Sequence, residues 1–212
     1  MKLFIRIVCV VFFVVFLTRE AKSQQSWFEL ELSKKITKKL NISFSPEVRF
    51  KEDFDLNEYF LSAAAEYKFC SYFALGANYR FGNNLKKNGD SRWFGRYALD
   101  AKTAYKLHDL EAQFRIRYTN YNDFSEDEDK ADLLRFKFKL GYAIKETGFK
   151  PYVAYEIYQD MDEKEINKAR WEGGLAYKIN KHHKIGAYFR VNHYLDDDQT
   201  VKIIGIAYSV KL

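Results

Sequence analysis

Tyr177-Lys178-Ile179-Asn180-Lys181-His182-His183-Lys184-Ile185-Gly186-Ala187-Tyr188-Phe189-Arg190 is the stretch that decides the fold. Apolar residues alternate with polar or small ones on both sides of a short basic turn, the pattern of two antiparallel strands joined tightly. The unit recurs. Tyr67-Lys68-Phe69 leads to Gly76 and Arg80 at the spacing that separates Tyr177 from Gly186 and Arg190. Looser copies follow Tyr105-Lys106-Leu107 and Tyr142-Ala143-Ile144, and the earliest follows Lys34-Lys35-Ile36. Hairpins of this kind fill most of the chain.

Composition agrees. The 212 residues hold only 10 Gly and 2 Pro but 16 Tyr and 19 Phe, and aromatic enrichment favours strands. Mean hydropathy is negative. That does not argue against membrane insertion, because only every second residue of a barrel strand meets lipid. Lys2 and Arg6 precede an apolar run over residues 7–17, and Ala21-Lys22-Ser23 supplies small residues for cleavage. Residues 1–23 therefore read as a secretory signal and residues 24–212 as the exported domain. The run is short for a membrane helix. Cys70 is then the sole cysteine of the exported part, so no disulfide forms within it.

Along that part, eleven segments alternate in face. In the second, Leu40, Ile42, Phe44, Pro46, Val48 and Phe50 oppose Asn41, Ser43, Ser45, Glu47 and Arg49. In the seventh, Leu134, Phe136, Phe138, Leu140 and Tyr142 oppose Arg135, Lys137, Lys139 and Gly141. The segments run about 10 to 15 residues, where a tilted transmembrane strand needs roughly 9 to 11 and strands of soluble proteins centre near 5 or 6. The expected fold is all-β: a single antiparallel up-and-down transmembrane barrel. Single-chain bacterial barrels usually have an even strand number, so the expectation is about 10–12 strands rather than eleven outright. A soluble periplasmic β-sandwich is the alternative architecture.

Turns near Thr37, Cys70, His108, Glu146 and Lys181 are short; loops near Asp53, Lys86, Glu128, Glu163 and Asp197 are longer and often acidic. Short periplasmic turns and long external loops are the usual asymmetry. This places the C-terminus on the periplasmic side. Tyr67, Tyr105, Tyr142, Tyr177 and Tyr208 should form the periplasmic aromatic girdle, and Trp93 and Trp171 should lie near the external one.

One resemblance accompanies this reading. The start Trp27-Phe28-Glu29-Leu30-Glu31-Leu32-Ser33-Lys34-Lys35, the following stretch 40–49 with Glu47 and Arg49, and the repeated Tyr-Lys-Ile turns resemble the small outer-membrane barrels catalogued as domain of unknown function 2490. The resemblance covers about residues 27–212. It implies an outer-membrane barrel and carries no catalytic residue. One departure is the C-terminus: many outer-membrane proteins end in an aromatic residue, whereas this chain ends in Leu212.

The inward parity gathers the charges. Arg49, Arg80, Arg96, Arg115, Arg117, Arg135, Arg170 and Arg190 share it with Lys102, Lys137, Lys139 and Lys178, and with Glu29, Glu31, Glu47, Glu66, Asp100, Glu111, Glu156 and Glu172. Unpaired buried charges cost several kcal/mol, so a lumen network is expected. Arg49, Arg80, Arg96, Arg115, Arg117 and Arg190 with Glu47, Glu66, Asp100 and Glu172 are its candidates. Arg80 and Arg190 should each be held by an inward carboxylate. Such a network is either a stiffening plug or a narrow basic lumen for small anions, since basic residues outnumber acidic ones.

Enzymatic signals are weak. His108, His182 and His183 sit in turns. His193 has outward parity near the external end, and Thr200 across its hairpin makes a poor triad with it. A barrel enzyme acting on lipids at the external rim is the alternative function. No phosphate loop, zinc spacing or nucleophile elbow occurs, so no catalytic residue, metal or cofactor is assigned. Ser125-Glu126-Asp127-Glu128-Asp129 and Asp196-Asp197-Asp198 lack calcium-loop spacing and suit contact with lipopolysaccharide through divalent ions. The expected partners are outer-membrane lipid and, during insertion, the barrel-assembly machinery. The basic pI does not indicate nucleic acid, because the charges alternate with lipid-facing aromatics.

Overall fold

The computed structural model describes residues 25–85, 91–120, 122–123, 132–196 and 198–212. The expected signal over residues 1–23, loop positions Lys86, Glu128 and Asp197, and the acidic run 125–129 lie outside them. Eleven long strands occur among the described residues. They are β1 (Gln25–Lys35), β2 (Leu40–Phe50), β3 (Leu56–Lys68), β4 (Phe73–Leu85), β5 (Ser91–Leu107), β6 (Leu110–Thr119), β7 (Leu133–Tyr142), β8 (Phe149–Asp160), β9 (Ile166–Lys178), β10 (His183–Tyr194) and β11 (Gln199–Lys211). Asn122–Asp123 continue the path of β6 alongside β5.

Each strand pairs antiparallel with the next, and β1 pairs with β11, so the sheet closes on itself. The two-sheet sandwich is thereby overturned. The closing pair departs from a wholly antiparallel barrel. It is parallel, with Gln25 opposite Ile203 and Ser33 opposite Lys211. The cause is arithmetic: in an odd set of alternating strands, the first and last run the same way. The start of β1 therefore lies at the loop end of the barrel. The C-terminus lies at the turn end, where the Leu212 N–H donates to Ser33 O at 2.8 Å.

Short polar side chains build the turns. Thr37 Oγ1 accepts from the N–H of Lys39 at 3.2 Å and of Leu40 at 2.9 Å. Asn180 Oδ1 accepts from His182 and His183 at 2.8 and 2.9 Å. Such local bonds replace the ladder where the chain reverses.

The two faces differ as the alternation requires. Phe28, Leu30, Ile42, Phe44, Leu61, Leu75, Leu99, Phe114, Phe138, Val153 and Ile206 are exposed on the outside. The small interior core includes Glu47, Glu58, Asp100, Glu156 and Glu172. The arrangement inverts that of a water-soluble fold, and a soluble monomer rarely exposes so large an apolar surface.

Part of the inner wall alternates glycine with aromatic residues. Gly141, Tyr152, Gly174, Tyr188, Gly205 and Trp27 are successive cross-strand partners from β7 round to β1. A Cβ at Gly174 would stand 2.5 Å from Tyr152 Cζ, and one at Gly205 would collide with the Tyr188 ring. The Tyr152 ring thus occupies the space beside Gly174 and the Tyr188 ring that beside Gly205.

Tyr67, Tyr105, Tyr142 and Tyr177 are exposed near the turn end, and Tyr208 lies on the same face of β11. Trp93, third residue of β5, lies near the loop end and stacks on Phe81 with ring centroids 5.1 Å apart. Trp171 corrects the girdle expectation. It is sixth of the 13 residues of β9, against Tyr155 in the middle of β8, because β9 extends five residues beyond it toward the loop end. Fluorescence quenching by lipids brominated at different depths should therefore reach Trp93 from shallow positions and Trp171 from deep ones. Comparing Trp93→Phe with Trp171→Phe isolates the two signals; shallow quenching of both would refute this placement.

Candidate functional site

Cross-strand register determines which inward charges meet. Glu172 faces Arg190 directly, and its Oε2 accepts from Arg190 Nε at 2.6 Å and from Lys137 Nζ at 3.2 Å. Asp100 faces Arg117 and receives both Nε and Nη2 at 2.6 and 2.7 Å. Such two-pronged contacts are the stronger class of ion pair. Arg115 Nε lies 3.9 Å and Lys102 Nζ 3.8 Å from the same Asp100 carboxylate. Lys102 Nζ also donates to Glu66 Oε2 at 2.8 Å. Gly76 stands between Glu66 and Asp100 in register, so Lys102 on β5 reaches Glu66 on β3 over a position without a side chain.

Glu47 and Arg49 form a further group. Arg49 Nε donates to Glu47 Oε1 at 2.7 Å and Nη1 to Glu58 Oε2 at 2.6 Å. Its guanidinium lies 3.7 Å from the Trp27 ring centroid. Arg190 and Arg170 approach the same indole at 5.2 and 5.8 Å. Three cations around one ring, from β2, β9 and β10, tie the first strand to its surroundings through cation–π attraction.

Arg80 departs from the expectation of a carboxylate clamp. Its Nε donates to Ser62 Oγ at 3.2 Å, and its guanidinium stacks 3.7 Å from the Phe60 centroid. The reason is register: Arg80 has Ser62 on one side and Arg96 on the other, and neither is an acid. Arg96 in turn lies 4.2 Å from the Phe94 centroid.

Among the described residues Glu156 gathers three arginines and a tyrosine hydroxyl. It is 1% exposed. Its Oε1 accepts from Arg115 Nη2 at 2.7 Å and from Arg135 Nη2 at 2.9 Å. The Tyr158 hydroxyl donates to its Oε2 at 3.1 Å, with Arg170 Nη1 at 3.7 Å. Inward parity identifies Glu156, but parity alone does not single it out. Glu58 and the inward rings of Trp27, Phe60 and Tyr158 escaped the reading altogether. Their parity is legible in the sequence: Trp27 shares the face of Glu29, Glu58 and Phe60 that of Glu66, and Tyr158 that of Glu156.

Among the described residues, at least two cavities occupy the lumen. The larger, about 620 Å³, runs from Trp27 and Tyr194 at the loop end to Asn41 near the turn end. Its lining carries eight arginines and three lysines against six glutamates and one aspartate. The smaller, about 430 Å³, opens toward the turns and is lined by Lys68, Lys102, Arg115, Lys137 and Lys139 against Glu66 and Glu111. Both walls are therefore positive. On the outer rim, His193 Nδ1 is 3.1 Å from Thr200 Oγ1 and Nε2 is 3.7 Å from Asp198 Oδ1. The Asp198 side chain is 94% exposed, so water screens that contact.

A closed single sheet with paired charges inside and an apolar, aromatic-bearing exterior is the architecture of a small transmembrane β-barrel. The chain belongs to the family described as protein of unknown function (DUF2490), whose profile matches residues 24–201. Among solved structures it is similar to one titled KdgM porin, at 14% identity and a TM-score of 0.50, covering 81% of this chain and 84% of that one. At that identity the likeness concerns the fold. No curated protein matches the chain.

Proposed function

We propose that this protein is an outer-membrane barrel of a Gram-negative cell whose narrow basic lumen binds small anions and passes them slowly. The observation that carries this reading is the excess of cations along both cavities. A ring of fixed charge of one sign selects ions of the other. The fold likeness to a porin supports a channel class and names no solute. The exposed apolar face contacts lipid, its rim contacts lipopolysaccharide, and the barrel-assembly machinery inserts it.

The cross-linked charges narrow the bore, so conductance across a planar bilayer should be low, and the reversal potential in a KCl gradient should favour chloride. Arg80→Ala combined with Arg190→Ala should raise conductance and weaken the anion preference. It should also destabilise the barrel, because Glu172 loses its closest partner. A preference for potassium in the unmodified protein would overturn the sign of the lumen. A large, steady conductance would overturn its narrowness.

A further inference from the structure

Lys102 on β5, Arg115 on β6 and Lys137 on β7 are direct cross-strand partners at one height. All three face inward, and all three line both cavities. Directly opposed side chains stand about 5 Å apart, and like charges so placed repel. A row of three cations is therefore a costly arrangement unless something negative gathers them.

The carboxylates nearby only partly do so. Asp100 lies 3.8 Å from Lys102 Nζ and 3.9 Å from Arg115 Nε but binds Arg117 at 2.6 Å. Glu156 stands directly across from Lys137. Glu172 accepts a shorter bond from Arg190, at 2.6 Å, than from Lys137, at 3.2 Å. Glu156 is divided among Arg115, Arg135 and Arg170. Arg115 Nε is buried and donates no hydrogen bond. The Glu66–Lys102 pair has side chains 28% and 37% exposed, and ion pairs in contact with water exchange partners at little cost.

We infer that Lys102, Arg115 and Lys137 form a binding site for a small oxyanion of the phosphate or sulfate class at the boundary between the two cavities. The tetrahedral anion accepts hydrogen bonds from the two ammonium groups and from the Arg115 Nε–H, whose 3.9 Å contact with Asp100 Oδ1 is too long for a hydrogen bond. It replaces Glu66 as the partner of Lys102. This deepens the anion reading of the lumen, and binding is measured separately from passage.

The test is calorimetric titration of the refolded full barrel in detergent with inorganic phosphate, at constant ionic strength held with chloride. Phosphate should bind the unmodified protein. Lys102→Gln with Lys137→Gln should weaken binding at least about tenfold, since each change removes a charge-assisted bond. Lys145→Gln, in a turn outside the row, should leave binding unchanged. Lys102→Arg with Lys137→Arg keeps the charges and should keep binding, which preserves a readout if the glutamine pair misfolds. Absence of phosphate binding in the unmodified barrel overturns the site. So does equal affinity in the glutamine pair, or equal loss in Lys145→Gln. Chloride selectivity without phosphate binding would refute this site and leave the proposed function standing; phosphate binding without anion selectivity would do the reverse.

Discussion

Phe138→Arg should nearly abolish refolding into lipid vesicles, while Lys139→Gln, one residue away, should leave most of the protein folded. The two side chains share a strand and differ in face. Phe138 is 47% exposed on the outside of β7, between Phe114 and Tyr155 of the adjoining strands. An arginine there, near the bilayer midplane, costs roughly 2 to 4 kcal/mol. Lys139 points into the lumen with Nζ 3.7 Å from the Tyr152 ring centroid, and glutamine at that position remains in a polar surrounding. The folded fraction is read from gel mobility with and without heating, because closed barrels resist detergent until heated. Equal tolerance at both positions would mean that β7 is turned the other way or that the outside does not meet lipid.

The second large effect is expected at Glu156. Glu156→Ala leaves Arg115, Arg135 and Arg170 around a site that has lost its acid. Breaking a buried pair by removing one partner costs about 3 to 5 kcal/mol. The loss should be among the largest of any lumen carboxylate, because Glu156 serves more cations than Glu47 or Glu172 does. Glu156→Gln keeps the shape and some hydrogen bonding and should fall between alanine and the unmodified protein. Glu163→Ala, in an exposed loop, should change little. Urea unfolding of the refolded barrel, followed by tryptophan emission, measures all three. A Glu156→Ala variant as stable as the loop variant would show that the lumen charges are solvated individually and do not form a mutually dependent network.

The faces of the strands are legible in the residues alone. Alternation over long segments told inside from outside at nearly every strand, because a strand repeats every second residue and a side chain has only two directions to point. It also gave the turn positions, the polarity of the lumen and the excess of basic residues there. Register and closure depend on the assembled ring. Arg190 meets Glu172 while Arg80, at the same place in its own hairpin, meets Ser62 and a phenyl ring. The hairpins are alike, and the neighbouring strands that supply the partners are not. The parallel seam between β1 and β11 is likewise a property of the whole ring, since no segment records how many others there are. The row of Lys102, Arg115 and Lys137 has the same origin. Each lysine or arginine is unremarkable in its strand, and only the alignment of three separate strands sets their charges side by side.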